Sequence, residues 1–108
     1  MKDYRKVAEK IRKMGTFSDV HNCGRPTQHC PVNLYFQLCE AYVIGYGFYV
    51  SYDWGKWSID YTIDRPVNTR AEMQSINRIK TDREMYEKVE EIINKIREHC
   101  GVKKAIEE

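Results

Sequence analysis

Apolar and polar residues alternate through Phe48–Ile63, FYVSYDWGKWSIDYTI, with the period of two that marks a half-buried strand. Trp57, Ile59, Tyr61 and Ile63 fall on one side of the second run, and Ser58, Asp60, Thr62 and Asp64 on the other. Phe48, Val50 and Tyr52 share a side of the first. Asp53-Trp54-Gly55-Lys56 lies between the runs and has the glycine that a tight turn with positive φ favours. A Trp54-Gly55 turn pairs Asp53 with Lys56, Tyr52 with Trp57, Val50 with Ile59 and Phe48 with Tyr61. Only this register puts every large apolar side chain on one face, since a slip of one residue inverts the set.

The pattern changes on either side of the hairpin. Tyr4, Val7, Ala8, Ile11 and Met14 form one stripe of a helix over Asp3–Met14, and Gly15 sits where a helix-ending C′ glycine belongs. Thr16–Pro31 has no apolar period and reads as a long loop. Val32–Ile44 fits either period, but its β-branched and aromatic content favours a strand. That strand brings Leu34, Phe36, Leu38, Tyr42 and Ile44 to the apolar face. A Gly45-Tyr46-Gly47 turn would set Ile44 against Phe48 and Tyr42 against Val50. Glu40 would then lie opposite Tyr52 and near Trp57, where burial would raise its pKa; a carboxylate near a strand edge that reaches water or a basic side chain is the simpler reading. Arg65-Pro66 ends the sheet, because proline removes a ladder donor. Met73, Ile76 and Ile79 have helical spacing, which predicts a short helix over Thr69–Ile79. Thr81–Cys100 opens with the Thr81/Glu84 capping box and carries the stripe Met85, Val89, Ile92, Ile93, Ile96 and Cys100. Gly101 is placed to close it, and Val102–Glu108 is expected to fray.

These elements define an α+β domain, residues 1–108. It has an N-terminal helix, a three-stranded antiparallel meander, and one short and one long C-terminal helix packed on the same face. With 108 residues, 42% of them hydrophobic and 31% charged, the chain has a globular composition and enough length for one core. The net charge of +2 is too small to imply nucleic acid on its own. Residues 1–14 hold six basic and two acidic side chains, whereas residues 81–108 hold six and eight. The basic end suits either a solvated helix face or an acidic partner. No run approaches the length of a membrane span, and MKDYRKVAEK lacks the apolar stretch of a signal peptide. Four cysteines without such a signal suggest free thiols in a reducing, cytoplasmic setting.

Potential chemistry is concentrated in the 16–31 loop. His21, Cys23, His29 and Cys30 put two histidines and two cysteines, four potential zinc ligands, within ten residues. Their spacing is not that of a finger or ribbon, so polar loop residues with a partly buried thiol are the simpler reading and no cofactor is expected. Cys23 or Cys30 beside a histidine also resembles a nucleophile–base pair, although no hydrolase signature surrounds either. Phosphate-binding and hydrolase motifs are missing from the sequence.

The expected function is therefore non-enzymatic protein binding, of the kind performed by small inhibitors, immunity-type proteins or accessory subunits. A zinc-stabilised module that binds nucleic acid and a small thiol enzyme are the alternatives. The expected binding residues are Trp54 at the hairpin tip, Tyr49, Tyr46 and Tyr35 on outward positions, and Arg25 in the loop. Tryptophan, tyrosine and arginine are the residue types that dominate interface energetics.

Overall fold

The computed structural model describes residues 2–66 and 69–107. Five strands, β1 (Phe17–Asn22), β2 (Val32–Glu40), β3 (Val43–Asp53), β4 (Lys56–Tyr61) and β5 (Gln74–Ile79), pair antiparallel in chain order. The expected three-stranded meander is thus the centre of a five-stranded sheet. Helix α1 (Tyr4–Arg12) packs on β1 and β2, and helix α2 (Asp82–Glu107) packs on β3 and β4. Both bury their apolar stripes in one cluster on one face of the sheet.

The hairpin register holds at all four expected pairs, from Phe48–Tyr61 to Asp53–Lys56. Phe48, Val50, Trp57 and Ile59 are fully buried, while Tyr52 and Tyr61 are half-buried at the margins. Trp54 and Gly55 have φ of 52° and 79°, so both turn residues are left-handed, as the twist of a two-residue hairpin loop requires.

The β2–β3 hairpin corrects the sequence reading. Val32–Ile44 is not one strand: the chain turns at Ala41-Tyr42 and returns as β3. Leu34 therefore lies opposite Val50 and Phe36 opposite Phe48. Tyr42 and Ile44 are exposed rather than core residues. The two glycines act otherwise than as a turn. Gly45, at φ 81°, follows a register shift, and Gly47 lies beneath a tyrosine ring.

Both edge strands lie where sequence periodicity gave something else. β1 occupies part of the expected 16–31 loop, and β5 occupies the expected Thr69–Ile79 helix, leaving only a single 3-10 turn at Arg70–Glu72. Each contains an irregularity. Pairing shifts between Phe17 and Asp19 in β1, and between Ile76 and Ile79 in β5, where Arg78 has φ 62°. An inserted residue stretches apolar spacing from two to three, so β1 loses its strand period and β5 mimics a helix.

Thr81 caps α2, its Oγ1 accepting from the Glu84 N–H at 3.1 Å. The six stripe residues from Met85 to Cys100 are all buried. The helix runs on through Gly101 to Glu107 instead of ending or fraying, and Glu108 lies outside the described residues.

A charged clamp ties the elements together. Arg97 of α2 reaches Glu40 at the end of β2 with Nε–Oε1 2.7 Å and Nη2–Oε2 2.8 Å. The same Nη2 donates to the Met14 carbonyl at 2.9 Å, and Glu40 Oε2 accepts from the Thr16 N–H at 3.0 Å. Glu40 lies opposite Val43, not Tyr52. The Arg97 hydrogen bond, aided by the Thr16 amide, lowers its carboxyl pKa against a smaller effect of burial, so Glu40 is the carboxylate that reaches a basic side chain and not the one raised by burial. Gly15 is explained here too: it is not left-handed, but a Cβ on it would meet Glu40 Oε2 at 2.8 Å.

Candidate binding face

The helices cover one face of the sheet and leave the other to the polar alternates of each strand. Asn33, Tyr35 and Gln37 occupy it from β2, Tyr49 and Ser51 from β3, and Ser58 and Asp60 from β4. The register aligns one residue from every strand into a continuous row, His21–Tyr35–Tyr49–Asp60–Ser75. The His21 and Tyr35 ring centroids are 5.5 Å apart, and those of Tyr35 and Tyr49 are 4.9 Å apart. Such directly opposed aromatics stabilise a sheet, and here they also form a contiguous half-exposed surface.

Gly47 makes room for Tyr35: a Cβ there would meet the Tyr35 hydroxyl at 2.5 Å. The connection between β4 and β5 then places Arg70 over the row. Its guanidinium stands 4.3 Å from the Tyr49 ring centre, in cation–π geometry. Arg70 Nε donates to Asp60, and Nη1 donates to Asn33 Oδ1 at 3.0 Å. Ser75 donates to the other Asp60 oxygen. Asp60 is thus an anchor for Arg70. With Asp60, Asn33 and Tyr49 fixing it, Arg70 presents a guanidinium whose ordering cost is already met by the fold.

At the edge, His21 Nδ1 lies 3.0 Å from Asp19 Oδ1, with both side chains about half exposed. Burial raises the Cys23 thiol pKa, with Arg70 opposing and Asp19 adding. Burial also raises that of Cys30, with Asp53 adding and Arg70 opposing. Both thiols are therefore protonated at neutral pH and weak as nucleophiles. The four candidate zinc ligands do not converge. His21 pairs with Asp19, while His29 stacks on Trp54 with ring centroids 3.8 Å apart. Among the described residues no three His, Cys, Asp or Glu side chains gather as a ligand set.

Trp54 stands at the hairpin tip, 72% exposed, as the sequence reading expected. A bulky residue at positive φ is uncommon and strained. His29 braces it, by the ring stack and by a Trp54 N–H···O=C bond to His29 of 2.9 Å. The β1–β2 connection is thereby pinned against the tip. Arg25, in the same connection, is exposed.

Tyr46 departs from the expected set. It is a core residue, 4% exposed, opposite Leu38. Burial, with help from a hydrogen bond to Cys100, pushes its pKa up to about 12. Tyr35 and Tyr49 meet as neighbours, with Trp54 apart at the tip. Arg70, Asp60 and Asn33 escaped the sequence reading. The usable signal was Tyr35 and Tyr49 at alternate positions of adjacent strands, which needs the correct β2–β3 register to be seen as a pair. No protein-family model matches the chain, and no significantly similar curated protein or solved structure is found. Among the described residues no helix is long and apolar enough to cross a membrane.

Proposed function

We propose that this chain is a non-enzymatic protein-binding module, of the small-inhibitor, immunity-type or accessory-subunit kind, and that a partner protein docks on the open sheet face beside the Trp54 tip. The observation that carries this reading is the pre-formed Tyr35–Tyr49–Arg70 stack, held by Asp60 and Asn33 on the face the helices leave uncovered. Tyrosine, tryptophan and arginine give the largest truncation losses at interfaces, and rigid placement lowers the ordering cost of binding. The raised pKa values of Cys23 and Cys30 favour binding over thiol catalysis. Asp19, Asp53 and Asp60 around the stack would repel a phosphate backbone, which favours protein over nucleic acid. Four free thiols suit a reducing, cytoplasmic setting.

The test is affinity isolation of a partner, then titration of that purified partner against Tyr49→Ala and Trp54→Ala. Each variant should lose at least about 2 kcal/mol of binding, as hot-spot truncations do. Trp54→Ala should leave the melting temperature near the parent's, and Tyr49→Ala should lower it by only a few degrees through its lost cross-strand pair, because neither side chain belongs to the core cluster. Unchanged affinity in both variants would move the interface elsewhere and defeat the proposal.

A further inference from the structure

A second surface lies on the other side of the molecule's β1 edge. Among the described residues the two strands with a free side are β1 and β5. Arg78 at φ 62°, with Lys80 beyond it, breaks and charges the β5 edge, which is how sheets discourage added strands. β1 is different. Asp19–Asn22 pair with β2 in unbroken register, and the run contains no proline and no lysine. The Cys23 N–H donates to the Asn33 carbonyl at 2.6 Å. By antiparallel alternation, the N–H and C=O groups of Val20 and Asn22 then point away from β2, toward the free side.

That free side opens into a groove walled by α1. One part is lined by Tyr4, Ala8, Val20 and Leu34, with Arg5 and Arg12 on the helix side. The groove continues past Arg12 toward Phe17 and Ser18. Arg12 lines both parts and forms no ion pair with any other described residue. Arg5 rests over the Tyr4 ring at 5.3 Å, leaving its charge without a carboxylate partner among the described residues. Among the described residues the acidic side chains of the groove are Glu9 on the helix and Asp19, which pairs with His21. The groove therefore offers unpaired strand hydrogen bonds, a small apolar floor and, in Arg5 and Arg12, two guanidiniums without a carboxylate partner among the described residues.

We propose that this groove binds an extended acidic peptide segment of a partner protein, which adds to β1 as a sixth strand. The backbone would pair with Val20 and Asn22. Alternate small apolar side chains would face Tyr4, Ala8 and Val20, and Asp or Glu beside them would meet Arg12 and Arg5. Strand addition of this kind takes affinity from main-chain bonds and specificity from pockets for alternate side chains. His21 lies at the border of this groove and the open face, but Tyr35, Tyr49 and Arg70 lie outside the groove.

The test is selection of binders from a random-sequence heptapeptide display library against the full chain. Peptides recovered should carry Asp or Glu alternating with small apolar residues. Binding of a recovered peptide should slow amide hydrogen exchange at Val20 and Asn22. Arg12→Glu, at an exposed position in the last turn of α1, should weaken that peptide by at least about tenfold while lowering the melting temperature by at most a few degrees, whereas Tyr49→Ala should bind it normally. Recovery of no saturable binder, of binders without acidic bias, or of binders that protect β5 or the open face would overturn the proposal. So would concentration-dependent dimerisation that protects the same β1 amides, since the occupant would then be a second copy of the chain.

Discussion

Replacing Arg97 by alanine removes the clamp's centre and leaves Glu40 where water reaches it poorly. Arg97 makes two hydrogen bonds to the Glu40 carboxylate and one to the Met14 carbonyl, all between 2.7 and 2.9 Å. The side chains are 38% and 19% exposed respectively. An exposed pair would contribute about 0.2–1 kcal/mol, and breaking a fully buried one costs about 3–5 kcal/mol. Half-burial and bidentate geometry place this clamp between them, at about 2 kcal/mol. For a chain of this length each kcal/mol moves Tm by roughly 4 °C, so a drop of about 8 °C is expected at neutral pH. The sign of the pH dependence follows from Glu40. Its folded-state carboxyl pKa is lowered, so the unfolded chain takes up a proton first as pH falls. The contribution is present in full above the ordinary carboxyl pKa of about 4.3 and is lost as pH drops through the lowered folded value. Urea unfolding of parent and Arg97→Ala should therefore differ by about 2 kcal/mol at neutral pH, with the gap closing below pH ~4. A double-mutant cycle with Glu40→Gln should return a coupling of about 1 kcal/mol or more. A loss below about 0.5 kcal/mol, or a gap that persists undiminished into acid, would refute the reasoning.

Three further outcomes are expected. Ile59→Ala, at a fully buried centre-strand position, should cost about 2–5 kcal/mol in denaturant unfolding, and a near-neutral result would misplace the core. Gly47→Ala should swing the Tyr35 ring off its site, seen as changed Tyr35 and Tyr49 ring resonances in NMR; unchanged spectra would mean that Gly47 is not what seats the ring. A chelator should leave Tm unaltered, because His21, Cys23, His29 and Cys30 do not converge, and a chelator-induced fall would reopen the zinc alternative.

The central hairpin was readable because its alternation is unbroken and its turn is marked by Gly55. α2 was readable from its capping box and six-residue stripe. What escaped shares one cause. Phe17 and Val20, like Ile76 and Ile79, are three apart because an irregularity interrupts each edge strand. Periodicity cannot tell an interrupted strand from a loop or a short helix. The β2–β3 register failed for another reason. Gly45 and Gly47 advertise a turn, yet Gly45 serves a register shift and Gly47 a tyrosine ring. Placing the turn there pushes Tyr35 beyond the hairpin tip and hides its pairing with Tyr49. The open face was consequently out of reach, and so was Arg70, whose role depends on the path of a connection.

The clamp also orders events while the chain is being made. Synthesis proceeds from the N-terminus, and the four hairpins are local contacts that can form as they emerge. Glu40 has to wait 57 residues for Arg97, and Lys2 waits 80 residues for the Asp82 carboxylate it pairs with. Until α2 is made, Phe48, Val50 and Ile59 line a sheet whose apolar side only α1 covers, tied to β2 through Thr16 but lacking the Arg97 bond to Met14 and the Asp82 pair with Lys2. The last quarter of the sequence therefore converts a greasy, loosely tethered nascent sheet into a closed layer.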